Sequence, residues 1–322
     1  MYAPSSRKLS RQAFTKGTRC LLPLLSILII SAAACAPAEP AFSGTTVDDL
    51  GRPVSIEKIP QRIISLAPSN TEILFALGLR DKVVGVTEFC NYPPEALERE
   101  KIGGFSTPDI EKIIALQPDL ILAGSIHAKE VIPALEEWGL TVFALAPENL
   151  DGILADIRIV GEITGREKEA SVLVAQMEGR IEAVIDKTER LKPQERPRVF
   201  FITWHDPLKS MGSKSFPHEL IEKAGGVNIF QDVEERNFQV EFETVIDRDP
   251  QVIIVTVGHA AGEAKAFEWA KEEPRLKVTE AGKNSRIFPL DAGLTRYGPR
   301  AVDALEQFAK FIHPEIFGTI KN

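Results

Sequence analysis

DIEKIIALQPDLILA, Asp109 to Ala123, recurs 132 positions later as EFETVIDRDPQVIIV, Glu241 to Val255. Each copy runs through an acidic residue, an apolar one, a glutamate and an apolar pair, then a proline and an apolar run. That pattern fits a short amphipathic helix feeding a buried strand. A second echo has Thr71-Glu72-Ile73-Leu74 leading to Gly78, matched by His218-Glu219-Leu220-Ile221 leading to Gly225. Two copies of one unit imply two similar lobes, and the cleft between them is the place to seek function.

Outward from the first copy, Thr46-Val47-Asp48 and Val54-Ser55-Ile56 flank Asp49-Leu50-Gly51-Arg52, which reads as a small hairpin. Strands are expected at Arg62 to Ala67, Lys82 to Thr87, Asp119 to Ala123 and Thr141 to Leu145, with helices beginning near Ser69, Thr107, Ala128 and Asn149. Short β-branched runs alternating with amphipathic segments argue for parallel sheets with helices on their faces. Thr107-Pro108 reads as a helix start, because proline at the first helical position loses no needed hydrogen bond and Asp109 and Glu111 suit the positive end of the dipole. The second copy sits among expected strands Val199 to Thr203, Gln251 to Val257 and Arg286 to Leu290, with helices near Ser215, Glu241, Ala264 and Pro299.

Between the copies the pattern changes. Ala170, Val174, Met177, Ile181, Val184, Thr188 and Leu191 recur every three or four residues without a proline, which predicts one long helix from Glu167 to Lys192. At roughly 1.5 Å per residue it spans about 39 Å, enough to bridge two domains. The expected class is therefore α/β: two similar lobes with parallel-type sheets flanked by helices, joined by one long inter-lobe helix. A helical connector predicts small hinge motion, where a flexible strand crossover would allow a wide clamshell. The divisions expected are a signal peptide at 1–34, a tether at 35–44, an N-terminal lobe at 45–165, a linker helix at 166–193 and a C-terminal lobe at 194–322.

The first 34 residues read as an export signal: Arg7, Lys8, Arg11, Lys16 and Arg19 without an acid, then an apolar run from Cys20 to Ile30 that Pro23 interrupts. It ends in Ser31-Ala32-Ala33-Ala34-Cys35, which resembles a bacterial lipobox and would place lipid on Cys35. The usual pattern has Leu where Ala32 stands, which leaves cleavage without lipidation open. Loss of the five positive charges takes the formal net charge from -8 to -13, so phosphates would be repelled and a nucleic-acid partner is not expected. With Cys20 removed and Cys35 anchored, Cys90 has no partner for an intrachain disulfide. The Ala/Pro-rich stretch from Ala36 to Gly44 reads as a tether, and the exported protein is expected to be a membrane-anchored monomer.

Three segments carry a family resemblance: Arg62-Ile63-Ile64-Ser65-Leu66-Ala67-Pro68-Ser69-Asn70-Thr71-Glu72, Val84-Gly85-Val86-Thr87 leading to Asn91-Tyr92-Pro93-Pro94, and Glu111-Lys112-Ile113-Ile114-Ala115-Leu116-Gln117-Pro118-Asp119-Leu120. With them the chain resembles the helical-backbone, or class III, substrate-binding lipoproteins that feed ATP-binding-cassette importers, the vitamin B12 binders among them. The resemblance implies capture of a corrinoid in the interlobe cleft and delivery to a permease and ATPase complex, with no intrinsic cofactor. It also implies that Glu111 and Glu243, which hold the same slot of the internal repeat, dock on basic residues of the permease. Without the resemblance both read as first-turn glutamates favoured by the helix dipole.

For the ligand, the resemblance puts aromatics at Phe89 and Phe105 and a basic group at Arg296, while Tyr92, Trp204, His205, Asp291 and Tyr297 are further candidates by position. A corrin is large, flat and fringed with amides, so it needs aromatic faces and a few hydrogen-bonding groups. Phe89 and Phe105 have a plainer reading as core residues. Gly124 and Asn237 depart from the pattern, since a B12 binder would carry bulky aromatics there.

Haem or a ferric siderophore on the same scaffold is the first alternative. A zinc or manganese receptor is the second, because His127, His205 and His259 each fall just beyond an expected strand end, the rim where open parallel sheets bind ligands. No two of these histidines sit at short ligand spacing. His218 and His313 read as helix-start and surface residues. An enzyme is not expected: the chain has no Gly-rich phosphate loop, Gly-x-Ser-x-Gly elbow, His-Glu-x-x-His or paired cysteines.

Overall fold

The structure, a computed structural model, describes residues 44–258 and 264–319; the export signal, Cys35, most of the tether and His259 lie outside the described residues. The first lobe is built on a five-stranded parallel sheet in the order Glu100–Lys101, Val83–Val86, Ile63–Ser65, Leu120–Gly124, Val142–Leu145. The second has a four-stranded parallel sheet in the order Val227–Asn228, Arg198–Ile202, Val252–Val257, Ile287–Asp291. Both copies of the repeat take the same place. Helix Ile110–Ala115 enters strand Leu120–Gly124, and helix Phe242–Arg248 enters strand Val252–Val257. Each of these strands lies between the first and last long strands of its sheet. They are buried on both faces, which is why their sequences are unbroken apolar runs rather than alternating ones.

The N-terminal hairpin pairs Gly44–Val47 with Pro53–Ile56 in antiparallel register. Asp48, buried in its turn, accepts from the Leu50 and Arg52 N–H groups, from the Arg52 side chain and from the Ala144 N–H at 3.1 Å. The same carboxylate therefore closes the turn and docks it on the end of strand Val142–Leu145. This docking brings the next residue, Asp49, to the rim of the first sheet.

The long helix runs Glu167–Thr188, 22 residues and about 33 Å. Ala170, Val174, Met177, Ile181, Val184 and Thr188 form its buried face. It packs on helix Leu150–Thr164 at one side and on helices Ala301–Ile312 and Phe216–Lys223 at the other, so it joins the two lobes. Gly161 lets helix Leu150–Thr164 approach closely, because a Cβ there would collide with that of Ala170. Arg180 then ties the long helix to the second lobe, donating to Asp303 at 2.6 Å and to Glu306 at 2.8 Å.

Three expectations are corrected. The long helix stops at Thr188 rather than Lys192, because Pro193 holds Lys192 extended and Arg196 takes the Thr188 carbonyl at 2.9 Å. The helix expected at Thr107-Pro108 begins at Ile110. Pro108 instead forms an isolated β-bridge with Gly103, and Asp109 is the N-cap, accepting from the Lys112 N–H at 3.0 Å. His313 is not a surface residue; it is buried, with Nε2 3.1 Å from the Gly225 carbonyl.

Candidate functional site

The carboxyl ends of three first-lobe strands open onto one cavity. Ala67, Ser69 and Asn70 follow strand Ile63–Ser65, Ser125 and Ile126 follow Leu120–Gly124, and Ala146 to Asn149 follow Val142–Leu145. Arg236 and Tyr297 from the second lobe close the opposite wall, and the space enclosed is about 770 Å³. Strand termini in open parallel sheets are where ligands bind, because the chain there is free to vary while the sheet holds it in place. Glu148 and Arg236 pair across the opening, linking the lobes by charge.

Phe105 and Tyr297 stand on the wall of this cavity. His127 positions Phe105. Its Nδ1 accepts from the Gly124 N–H at 2.9 Å, so the proton is on Nε2, which donates to the Phe105 carbonyl at 2.7 Å. The two rings meet edge to face at 5.5 Å. Burial holds the imidazole below its ordinary pKa, and with both nitrogens engaged it has no lone pair for a metal. Tyr297 rests against Phe216 at 4.9 Å between centroids, and burial raises its phenol, which stays neutral.

The remaining candidates lie elsewhere. Trp204 is 40% exposed and lines a second cavity of about 280 Å³ with Phe201, Thr203, Lys209, Met211 and Asn237. His205 packs between Trp204 and Trp269, at 5.6 and 5.3 Å. Asp291 is exposed and caps the turn that follows it, accepting from the Gly293 N–H at 2.7 Å. Phe89 is 53% exposed, so the reading of it as core does not hold, and it lines neither cavity. Gly124 and Asn237, the two positions without the aromatic, each stand on a cavity wall.

Tyr92 and Arg296 converge on an ion pair that joins the lobes. Glu72, on helix Pro68–Ala76 and 3% exposed, receives two hydrogen bonds from Arg300, at 2.9 and 2.6 Å. The Arg300 guanidinium lies 3.8 Å from the Tyr92 ring centre. Arg296 is 3.9 Å from Glu72 and donates to Asn91 at 3.1 Å. Burial raises the Glu72 carboxyl, and Arg300 opposes that rise. Glu219, the counterpart of Glu72 in the internal echo, accepts from the Leu150 N–H at 3.0 Å. Each first helix thus sends a glutamate to the start of the other lobe's closing helix, Ala301–Ile312 or Leu150–Thr164.

Sequence reasoning missed Asp156, on the first turns of helix Leu150–Thr164. It lines the 770 Å³ cavity while being 2% exposed, and its Oδ2 receives no hydrogen bond from the protein. No local motif marks it, since an aspartate in the second turn of a helix is ordinary. Glu111 and Glu243 are exposed in the first turns of their helices, and neither is in an ion pair among the described residues. Also among the described residues, no group of three His, Cys, Asp or Glu could hold a metal ion, and no helix is long and apolar enough to cross a membrane.

Comparison with known proteins gives this geometry its context. The periplasmic binding protein family matches residues 63–294. An ABC transporter substrate-binding lipoprotein of Bacillus subtilis, itself uncharacterized, is 34% identical over 84% of this chain and 86% of its own length. A vitamin B12-binding protein of Vibrio cholerae is 32% identical over 89% of this chain and 98% of that one. The crystal structure of the periplasmic vitamin B12 binding protein from that species matches with a TM-score of 0.68, covering 79% of this chain and 97% of that one. A periplasmic heme-binding protein from Roseiflexus, in apo form, matches at 28% identity and a TM-score of 0.70, over 79% and 98% of the two chains.

Proposed function

This chain belongs to the periplasmic binding protein family, the class III substrate-binding proteins of ABC importers, and from that premise we propose that it captures a corrinoid in its interlobe cleft and delivers it to a permease. The observation that carries the reading is the 770 Å³ cavity with an aromatic from each lobe, Phe105 and Tyr297, on its wall. A flat, amide-fringed ring is served by such faces and by the neighbouring Asn70, Ser69 and Asn149 side chains. Relatives named for vitamin B12 support the same choice. Haem is the second reading, favoured by the heme-binding structure of the same fold.

The family performs no catalysis, and the binding protein's work is selection and hand-over. In this proposal Glu111 and Glu243 present one exposed carboxylate per lobe to basic residues of the permease, and lipid on Cys35 holds the protein at the membrane. Phe89, Tyr92, Trp204, His205, Asp291 and Arg296 are proposed to complete the ligand surface as the lobes adjust around the ring.

Replacing Phe105 or Tyr297 with alanine is expected to weaken cyanocobalamin binding about ten-fold, since losing one aromatic face removes roughly 1–1.5 kcal/mol. Calorimetric titration of each variant checks this. Affinity unchanged in both would place the ligand outside this cavity.

A further inference from the structure

The cavity that Phe105 and Tyr297 line is also acidic. Asp49, Glu148 and Asp156 face the cavity, and the cation there, Arg236, is already paired with Glu148. Asp49 arrives from the hairpin turn and is fixed by the Ala146 N–H, 2.6 Å from its Oδ2. Asp156 arrives from the helix. It is buried, no protein donor reaches its Oδ2, and the group that does approach it is the Asp49 carboxyl. An unpartnered buried oxygen on a cavity wall is costly unless a ligand or a proton satisfies it.

We propose that the Asp49–Asp156 carboxyl pair is a specificity filter: it accepts N–H donors from an amide-fringed ligand and turns away ligands fringed with carboxylates. Two carboxyls this close cannot both ionise at moderate cost. Burial first, and then the Asp49 charge and hydrogen bond, push Asp156 up to about 9. At neutral pH Asp156 is therefore the protonated member, its O–H satisfied by Asp49, and the pair's remaining oxygens can only accept. A primary amide N–H meets them favourably. A ligand carboxylate meets the Asp49 charge, and the cation on this cavity, Arg236, already has Glu148 as its partner. The inference rests on the corrinoid reading and sharpens it, because it separates amide-bearing rings from haem and its propionates.

The test uses the full-length protein in detergent at pH 7 and two corrinoids that differ in their fringe: dicyanocobinamide, which carries amides, and dicyanocobyrinic acid, which carries carboxylates in their place. Wild type is expected to bind the amide form at least ~100-fold more tightly. Asp49→Asn with Asp156→Asn, which keeps shape and acceptor oxygens while removing the charge, is expected to shrink that preference ten-fold or more by gaining affinity for the acid. Asp49→Asn alone, which removes the repelling charge and leaves Asp156 in place, is expected to shrink the preference as well and serves if the double variant melts early; an unchanged preference in it overturns the filter. Equal binding of both corrinoids by wild type, or an unchanged preference in a folded double variant, overturns the filter while leaving the corrinoid reading intact. Binding of neither corrinoid ends that reading, and haemin then judges the filter: wild type must bind it at least ten-fold more weakly than the double variant, and equal affinities overturn the proposal.

Discussion

Glu111→Ala combined with Glu243→Ala is expected to leave ligand affinity within about two-fold of wild type while reducing uptake by whole cells on the order of 100-fold. Both glutamates are exposed and neither lines a cavity described above, so ligand binding does not pass through them. They occupy the same slot of the duplicated unit, at the second residue of helices Ile110–Ala115 and Phe242–Arg248, which gives the protein two like charges related by its internal symmetry. Such a pair can register a two-fold partner at both ends at once, and the linked contacts reinforce each other. Each single variant is expected to lose less than half of the double variant's effect on a logarithmic scale, because one contact persists. Loss of ligand affinity in the double variant would show that these residues do not dock the permease.

Arg300→Ala is expected to lower unfolding stability by about 3–5 kcal/mol, the usual result of stripping one partner from a buried ion pair. Glu72 is 3% exposed and takes both of its side-chain hydrogen bonds from Arg300, so the variant leaves a carboxyl with little water to replace them. Arg296 stands 3.9 Å away and already donates to Asn91, which limits rescue. Replacing both members, as Glu72→Leu with Arg300→Met, is expected to recover most of the loss, since apolar groups of similar volume often substitute for a buried pair without penalty. Urea unfolding of the two variants beside wild type measures both effects. A loss below about 1 kcal/mol in Arg300→Ala would mean the pair is screened by water and does not hold the lobes.

The repeat made the two lobes and the long helix legible because the features that specify them are local. An amphipathic period, a proline and a branched apolar run lie within fifteen residues of one another. What the sequence hid depends on distant chain segments. Pro108 has every local credential of a first helical residue, yet its bridge to Gly103 sets it in a loop. His127 reads as a strand-end metal ligand until the Gly124 N–H and Phe105 carbonyl are seen to claim its two nitrogens. Edge strands as short as Glu100–Lys101 and Val227–Asn228 carry too few residues to show a period.

The site was legible only in part. Of the candidate residues Phe105 and Tyr297 line the 770 Å³ cavity, whereas Tyr92 and Arg296 are drawn to the Glu72–Arg300 pair and Trp204 to a separate hollow. Asp49 and Asp156 are 107 positions apart and meet only because Asp48 pins the hairpin to strand Val142–Leu145. Nothing within either segment announces that meeting.

The central claim, that the cleft takes a corrinoid, is tested most directly by calorimetric titration of the full-length protein with cyanocobalamin, beside haemin, a ferric siderophore and zinc. Saturable one-to-one binding of cyanocobalamin, with the other three silent, is the expected result. Silence with cyanocobalamin and saturation by haemin, the siderophore or zinc would keep the fold and contradict the ligand.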